Sequence, residues 1–207
     1  TNGKDDGEWE WGDDDKVKDR NGNDVDIKSE DDESGVFRFR NIGLARNEKI
    51  TAAYLELTAT GAGTNTAGNA VLEIAIEESS DSDDLDEDDF DERDFTSSNA
   101  RVAWNNNGDW QKDNAYRSPN IASLIESVIN RSGWDSGNAL TLVVRHKSGE
   151  DREVYSYDDE PLKAARLIIE YQGDGSGDEE IETVRNEFLE QVNSLGAAGW
   201  TPLQDTF

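Results

Sequence analysis

Two periodicities alternate along the chain. Val25 and Ile27, then Val36-Phe37-Arg38-Phe39-Arg40, begin a series of period-two segments of the kind that form strands with one wet face. Ala53 to Thr60 and Ala70 to Glu77 continue it. Leu55 and Leu57 share one face of the first, and Leu72, Ile74 and Ile76 one face of the second, with the turn-rich Gly61 to Asn65 between them. Ala100 to Trp104, Ala139 to His146, Arg152 to Tyr157 and Ala164 to Tyr171 are again β-branched and aromatic, separated by Gly, Asp and Asn. These are expected to be half-buried antiparallel strands.

Two segments break the period. Ile121, Leu124, Ile125, Val128 and Ile129 recur at the spacing of an amphipathic helix, with Ser118 as N-cap, Pro119 at the first helical position and Ser132-Gly133 as the stop. A second helix is predicted over 179–195, where Ile181, Val184, Phe188, Val192 and Leu195 form one stripe ending at Gly196. Gly173 to Gly177 reads as a flexible linker before it. The first 24 residues alternate acids with Gly and Asn, hold Trp9 and Trp11 as their only large apolar groups, and read as a loop or linker.

The 207 residues carry 20 basic and 48 acidic side chains, a formal net charge of −28, with no cysteine and one histidine. Nucleic acid and anionic membranes are improbable partners, because no stretch clusters Lys and Arg. A thiol nucleophile, a disulfide or a His-rich zinc site is excluded by composition. No apolar run approaches the roughly 18 residues of a membrane span, and without an initiator Met or a secretory apolar region the chain reads as a mature or excised segment. Apolar content of 33% raises the question of disorder. The acids, however, gather between the apolar runs, in 4–19, 30–33, 77–94, 150–160 and 174–182, as expected of a folded module with acidic loops and ends.

Several ordered blocks carry a resemblance. They are Val36 to Gly43, Ile50 to Leu57, Trp104, Ser118-Pro119, Val128 to Trp134, Ser136 to Leu140, Ser156-Tyr157-Asp158 and Ala165 to Tyr171. Taken together, Val36 to Tyr171 resembles the extracellular, carbohydrate-binding-module-like β-sandwich domains of DNRLRE type. Val192 to Leu203, with Gly199-Trp200-Thr201-Pro202-Leu203, resembles the helix and following loop of a von Willebrand factor A domain, as found in PilC/PilY-type pilus-associated adhesins. That resemblance implies a place for Thr201 in a metal-ion-dependent adhesion site. The Asp-x-Ser-x-Ser that would complete such a site is absent from the chain. It also implies that the sandwich sits within, or just before, an A-type domain.

Candidate chemistry falls into three groups. Asp19, Asn21, Asn23 and Glu30 occupy positions 1, 3, 5 and 12 of a calcium-loop spacing, but position 6 is Asp24 where the sharp turn wants Gly, and an Asn-Gly turn into a strand explains the same residues. Between Asp81 and Asp94, carboxylates including Asp81, Asp83, Asp84 and Asp86 crowd one loop. A hard divalent cation would relieve their repulsion, and a solvated loop adapted to salt would equally tolerate it. Among the aromatics, Trp104 and Trp134 are expected in the core. Trp110 lies in the polar stretch Asn105 to Gln111 and is expected to be exposed, where with Tyr116, Asn107 and Asp109 it would stack on and hydrogen-bond a sugar. No catalytic motif is present, and His146 at a strand end reads as a loop-edge residue.

The sequence therefore predicts an all-β fold: an antiparallel β-sandwich of jelly-roll type with one short inter-strand helix and a C-terminal helical tail. It divides into an acidic leader (1–24), the sandwich (25–172), and a linker with the helix of an incomplete neighbouring domain (173–207). The expected function is a non-catalytic extracellular or cell-surface recognition module, binding glycan or another surface ligand with calcium as cofactor, within a larger adhesin or pilus protein. The alternative is a structural spacer stabilised by calcium or salt.

Overall fold

The computed structural model describes residues 5–10, 17–18, 22–29, 33–61, 68–85, 90, 93–172 and 179–185. In chain order the elements are β1 (Asp6–Glu10), β2 (Val17–Lys18), β3 (Asp24–Ile27), β4 (Glu33–Phe39), β5 (Ile50–Thr58), β6 (Ala70–Ile76), β7 (Val102–Asn106), β8 (Ala115–Arg117), α1 (Ala122–Ile129), β9 (Leu140–Gly149), β10 (Arg152–Tyr155), β11 (Arg166–Gln172) and β12 (Glu179–Arg185). Every strand pairing among them is antiparallel. A six-stranded sheet in the order β2-β1-β4-β9-β6-β7 faces a four-stranded sheet in the order β12-β11-β5-β8. The β10-β3 ribbon extends the second layer: an isolated bridge joins Ala59, just past β5, to Val154, and Thr60 N–H donates to the Glu153 carbonyl at 3.1 Å. The protein is an all-β antiparallel sandwich with one helix among its described residues. That helix is too short to cross a membrane.

Alternation and register together make the core. Phe37 lies opposite Leu142 and Phe39 opposite Leu140, all turned into the space between the layers with Leu72, Ile74 and Ile76. Leu55 and Leu167 meet them from the other sheet. Helix α1 buries Leu124, Ile125, Val128 and Ile129 and packs against β5 and β6. Its start differs from the predicted one. Ser118 and Ile121 still pair with β5, donating their N–H groups to the Leu55 and Ala53 carbonyls at 2.8 Å each, so the backbone stays extended past Pro119. Ser118 Oγ accepts from Leu55 N–H, and Asn120 Oδ1 accepts from both Ala53 and Ala122 N–H. Ser118, expected at the cap, and Asn120 thus staple the helix entrance to the sheet.

Two other expectations are corrected. The leader is not a linker throughout: Asp6–Glu10 is a strand of the six-stranded sheet, paired with β4, and Val17–Lys18 pairs with it in turn. Its acids have partners that composition cannot show. Asp5 binds Arg38 at 2.7 Å and Arg40 at 3.1 Å, Asp6 accepts from Tyr157 N–H, and Glu8 accepts from Asp26 N–H. In the tail, the described part of the predicted 179–195 helix is a strand, β12, laid along β11 with Ile181 opposite Glu170. Its Ile, Thr and Val suit a sheet, and the ladder supplies partners to the outer edge of β11.

The acidic loop after β6 is not merely solvated. Its few apolar residues, Leu85, Phe90 and Phe95, fold onto the outer face of the six-stranded sheet against Trp9, Val17, Val36 and Val143. Trp9 and Phe90 meet edge to face with centroids 4.9 Å apart. The sheet is therefore buried on both faces here.

Candidate metal centre

Asp24-Val25-Asp26-Ile27 is a minimal alternating strand. Val25 and Ile27 are fully buried in the core, which turns Asp24 and Asp26 to the opposite face. Register then places Glu153 of β10 opposite Asp26, and Tyr155 opposite Asp24. Carboxylate oxygens of Asp24, Asp26 and Glu153 all lie within 4.8 Å of one another, and so do those of a second triad, Glu8, Asp26 and Glu33. Like charges directly across a ladder are destabilising unless something neutralises them.

The second triad has its cation already. Lys28 Nζ forms an ion pair with Asp26 Oδ2 and lies 3.9 Å from Glu33 Oε2. Burial draws the Lys28 ammonium down, but Asp26, Glu33 and Glu8 hold it above the ordinary lysine value. The first triad shares Asp26 and so touches Lys28 only through Asp26 Oδ2 among the ion pairs of the described residues, while Lys112 lines the pocket beside Asp24 and Glu153. Asp26 Oδ1 is buried without a hydrogen-bond partner. Burial raises the Asp26 carboxyl in spite of Lys28. Glu153 is also raised by burial, opposed by the Thr60 hydroxyl, which donates to Oε1 at 2.6 Å, and reinforced by its contact with Asp24.

A pocket of about 190 Å³ opens beside two members of this triad, Asp24 and Glu153, and is lined further by Asn23, Thr60, Lys112, Tyr155 and Asp159; Asp26 lies outside its lining. Its rim is fixed by Asp113, which accepts from Tyr155 OH at 2.8 Å and Lys163 Nζ at 2.9 Å. Those two donors, Lys163 first, hold the Asp113 carboxyl below its usual range. Crowded oxygen donors that lie partly out of water suit either a shared proton or a hard divalent cation of the calcium type. The donor set fits such an ion: all its atoms are oxygen, and Asp26 carries a buried oxygen, Oδ1, without a hydrogen-bond partner.

The residues singled out from sequence fall differently. Asn23 lines the pocket beside Asp24. Asp19, Asn21, Glu30, Asp86 and Thr201 lie outside the described residues. Asp81 Oδ1 accepts from Ala139 N–H at 2.9 Å, and Asp84 Oδ1 accepts from Arg38 at 2.8 Å. Asp83 is exposed, and Arg93 ties down its carbonyl at 3.1 Å. These three take separate partners and do not converge on one point among the described residues. Asp24, Asp26 and Glu153 were all missed, Asp24 having counted against the calcium-loop spacing. The Asp-x-Asp alternation was visible, but the facing Glu153 depends on a pairing between distant segments.

The aromatic expectation is corrected. Trp110 is only 2% exposed and belongs to the main core. Tyr116 stacks on it with centroids 4.5 Å apart and planes 5° from parallel, and Trp104 lies 5.5 Å away. The fully buried Arg152 sits 5.3 Å over the Trp110 ring. Its guanidinium donates to the carbonyls of Gly68, Gly108 and Asp151 and to Asn106 Oδ1, drawing the polar loop down onto β10. Tyr116 OH closes the loop by donating to the Asp109 carbonyl and accepting from Gln111 N–H. Asp109 Oδ1 accepts from Gly68 N–H, while Asn107 is exposed. Trp104 and Trp134 are buried as expected.

No protein-family model matches the chain and no curated protein matches it significantly, so its functional reading rests on the geometry of this site.

Proposed function

We propose that the chain is a non-catalytic structural module of an extracellular or cell-surface protein, a spacer stiffened by a hard divalent cation such as calcium, which the all-oxygen donor set suits. The observation that carries this reading is the convergence of Asp24, Asp26 and Glu153 at the sandwich rim, with Asp26 Oδ1 buried and unpartnered. A cation held by these residues would clamp β3 to β10 and, through the Ala59–Val154 bridge, fasten the ribbon to β5. Asn23 and Thr60 line the same pocket and offer further oxygens. Glycan recognition centred on Trp110 has lost its stacking ring to the core. A place within a pilus-associated adhesin is proposed only on the resemblance of residues 192–203.

Thermal melting tests the reading. Calcium at a hundredfold excess over its Kd would stabilise a folded state that alone binds it by about 2.7 kcal/mol. Sodium at equal ionic strength is the control for screening. A higher melting temperature in calcium is expected in the wild type, and none in Glu153→Gln. Equal melting temperatures in the two salts for the wild-type protein would defeat the cation-clamp reading.

A further inference from the structure

Asn130-Arg131-Ser132 is the single Asn-x-Ser/Thr triplet of the chain. This is the triplet that oligosaccharide transfer to exported proteins requires. The fold presents it on a short turn anchored at both ends. Ile129, the last residue of α1, is buried, and Trp134 returns to the core with its Nε1 donating to the Leu44 carbonyl at 3.0 Å. All four residues between them, Asn130 to Gly133, are exposed.

The backbone of the turn is held without help from these side chains. Asn130 caps the helix with φ −82 and ψ −8, and its N–H donates to the Glu126 carbonyl. Arg131 N–H donates to the Val128 carbonyl at 3.0 Å and Trp134 N–H to the Arg131 carbonyl at 3.1 Å. The carboxamide of Asn130 and the hydroxyl of Ser132 make no hydrogen bond with the described residues. A bulky, hydrophilic substituent on Asn130 would therefore displace no packed group and break no internal bond. It would project at the C-terminal end of α1, an element separate from the β3–β10 carboxylates.

We infer that Asn130 is an acceptor for an N-linked glycan, donated by an oligosaccharide carried on a polyprenyl phosphate or diphosphate. Asn130 Nδ2 forms a bond to the anomeric carbon. The bond from that carbon to the carrier's phosphate oxygen breaks, its electron pair leaving with the phosphate, and Nδ2 releases one proton. Nothing is oxidised or reduced. The inference rests on the extracellular placement proposed above and is independent of the cation.

The test takes the full-length protein from the cells that make it, recovered separately from exported and cytosolic fractions, and reads the peptide containing residue 130 by mass spectrometry. In the exported fraction this peptide should be heavier by whole sugar units, with fragment ions placing them on Asn130. Asn130→Gln and Ser132→Ala should abolish the increment and Ser132→Thr should keep it, each with an unchanged thermal melt because the positions are exposed. An unmodified peptide in exported protein overturns the acceptor assignment and leaves the extracellular reading intact. A chain confined to the cytosol overturns both. Sugar that persists in Asn130→Gln overturns the assignment to this residue.

Discussion

Replacing Trp110 with alanine separates a core residue from a sugar platform, and the structure gives the size of the effect. The side chain is almost wholly buried, stacked on Tyr116, close to Trp104 and beneath Arg152. A buried Trp removes on the order of 200 Å² from water, which at about 25 cal/mol per Å² is about 5 kcal/mol before the part alanine retains. Loss of the stacked pair adds roughly 0.5–1.5 kcal/mol, and Trp→Ala substitutions in cores cost about 3–5 kcal/mol in practice. We therefore expect a loss of about 3–5 kcal/mol by urea denaturation followed through far-ultraviolet circular dichroism. For a chain this long that is a fall of about 10 °C in melting temperature. Trp110→Phe, which keeps an aromatic ring over Tyr116, should lose less than half as much. A loss under about 1 kcal/mol for the alanine variant would return Trp110 to the surface and refute the packing described for the Asn105 to Gln111 loop.

Three further outcomes are expected. Arg38→Ala should cost about 3–5 kcal/mol, because it leaves the buried Asp5 carboxylate without its closest partner; stability unchanged by denaturant titration would contradict the pairing. Phe90→Ala should cost about 3–5 kcal/mol and speed proteolytic cleavage between residues 77 and 95, since Phe90 pins the acidic loop to the sheet; an unaltered digestion pattern would count against that anchor. Glu153 is raised above its ordinary value of 4.5 in the folded state, so the folded protein holds a proton that the unfolded chain releases, and stability in chelator should fall as pH rises from about 4.5 through the folded pKa. Glu153→Gln should flatten that part of the pH profile, and an identical profile in the variant would remove Glu153 from the cluster.

Much of the architecture could be read from single segments, because one strand or helix face is enough to show it. Leu55 with Leu57, and Leu72 with Ile74 and Ile76, turned inward as their alternation required, and the Leu124, Ile125, Val128, Ile129 stripe is a buried helix face. The failures arose where partners come from elsewhere in the chain. Asp5, Asp6 and Glu8 resembled linker residues until Arg38, Arg40 and the backbone of Asp26 and Tyr157 met them. Trp110 sat in a run of Asn, Gly and Asp that predicts exposure, yet Arg152 donates to that run's Gly108 carbonyl and Asn106 Oδ1 and lies over the buried ring. The segment from Glu179 to Arg185 fits both periods, and the open edge of β11 decided between them. Asp24 and Asp26 share one face of β3, but their meeting with Glu153 is a fact of register, which composition and local spacing do not encode.

Calcium binding measured by isothermal titration on the wild type and on Glu153→Gln, at one fixed ionic strength, tests the cation clamp most directly. Other carboxylates of this chain, with its net charge of −28, will also attract calcium weakly, so the decisive quantity is the difference between the two proteins. The wild type should show one saturable site that the variant lacks, at equal folded content by circular dichroism. Identical stoichiometry and affinity in both proteins would contradict a metal centre at Asp24, Asp26 and Glu153.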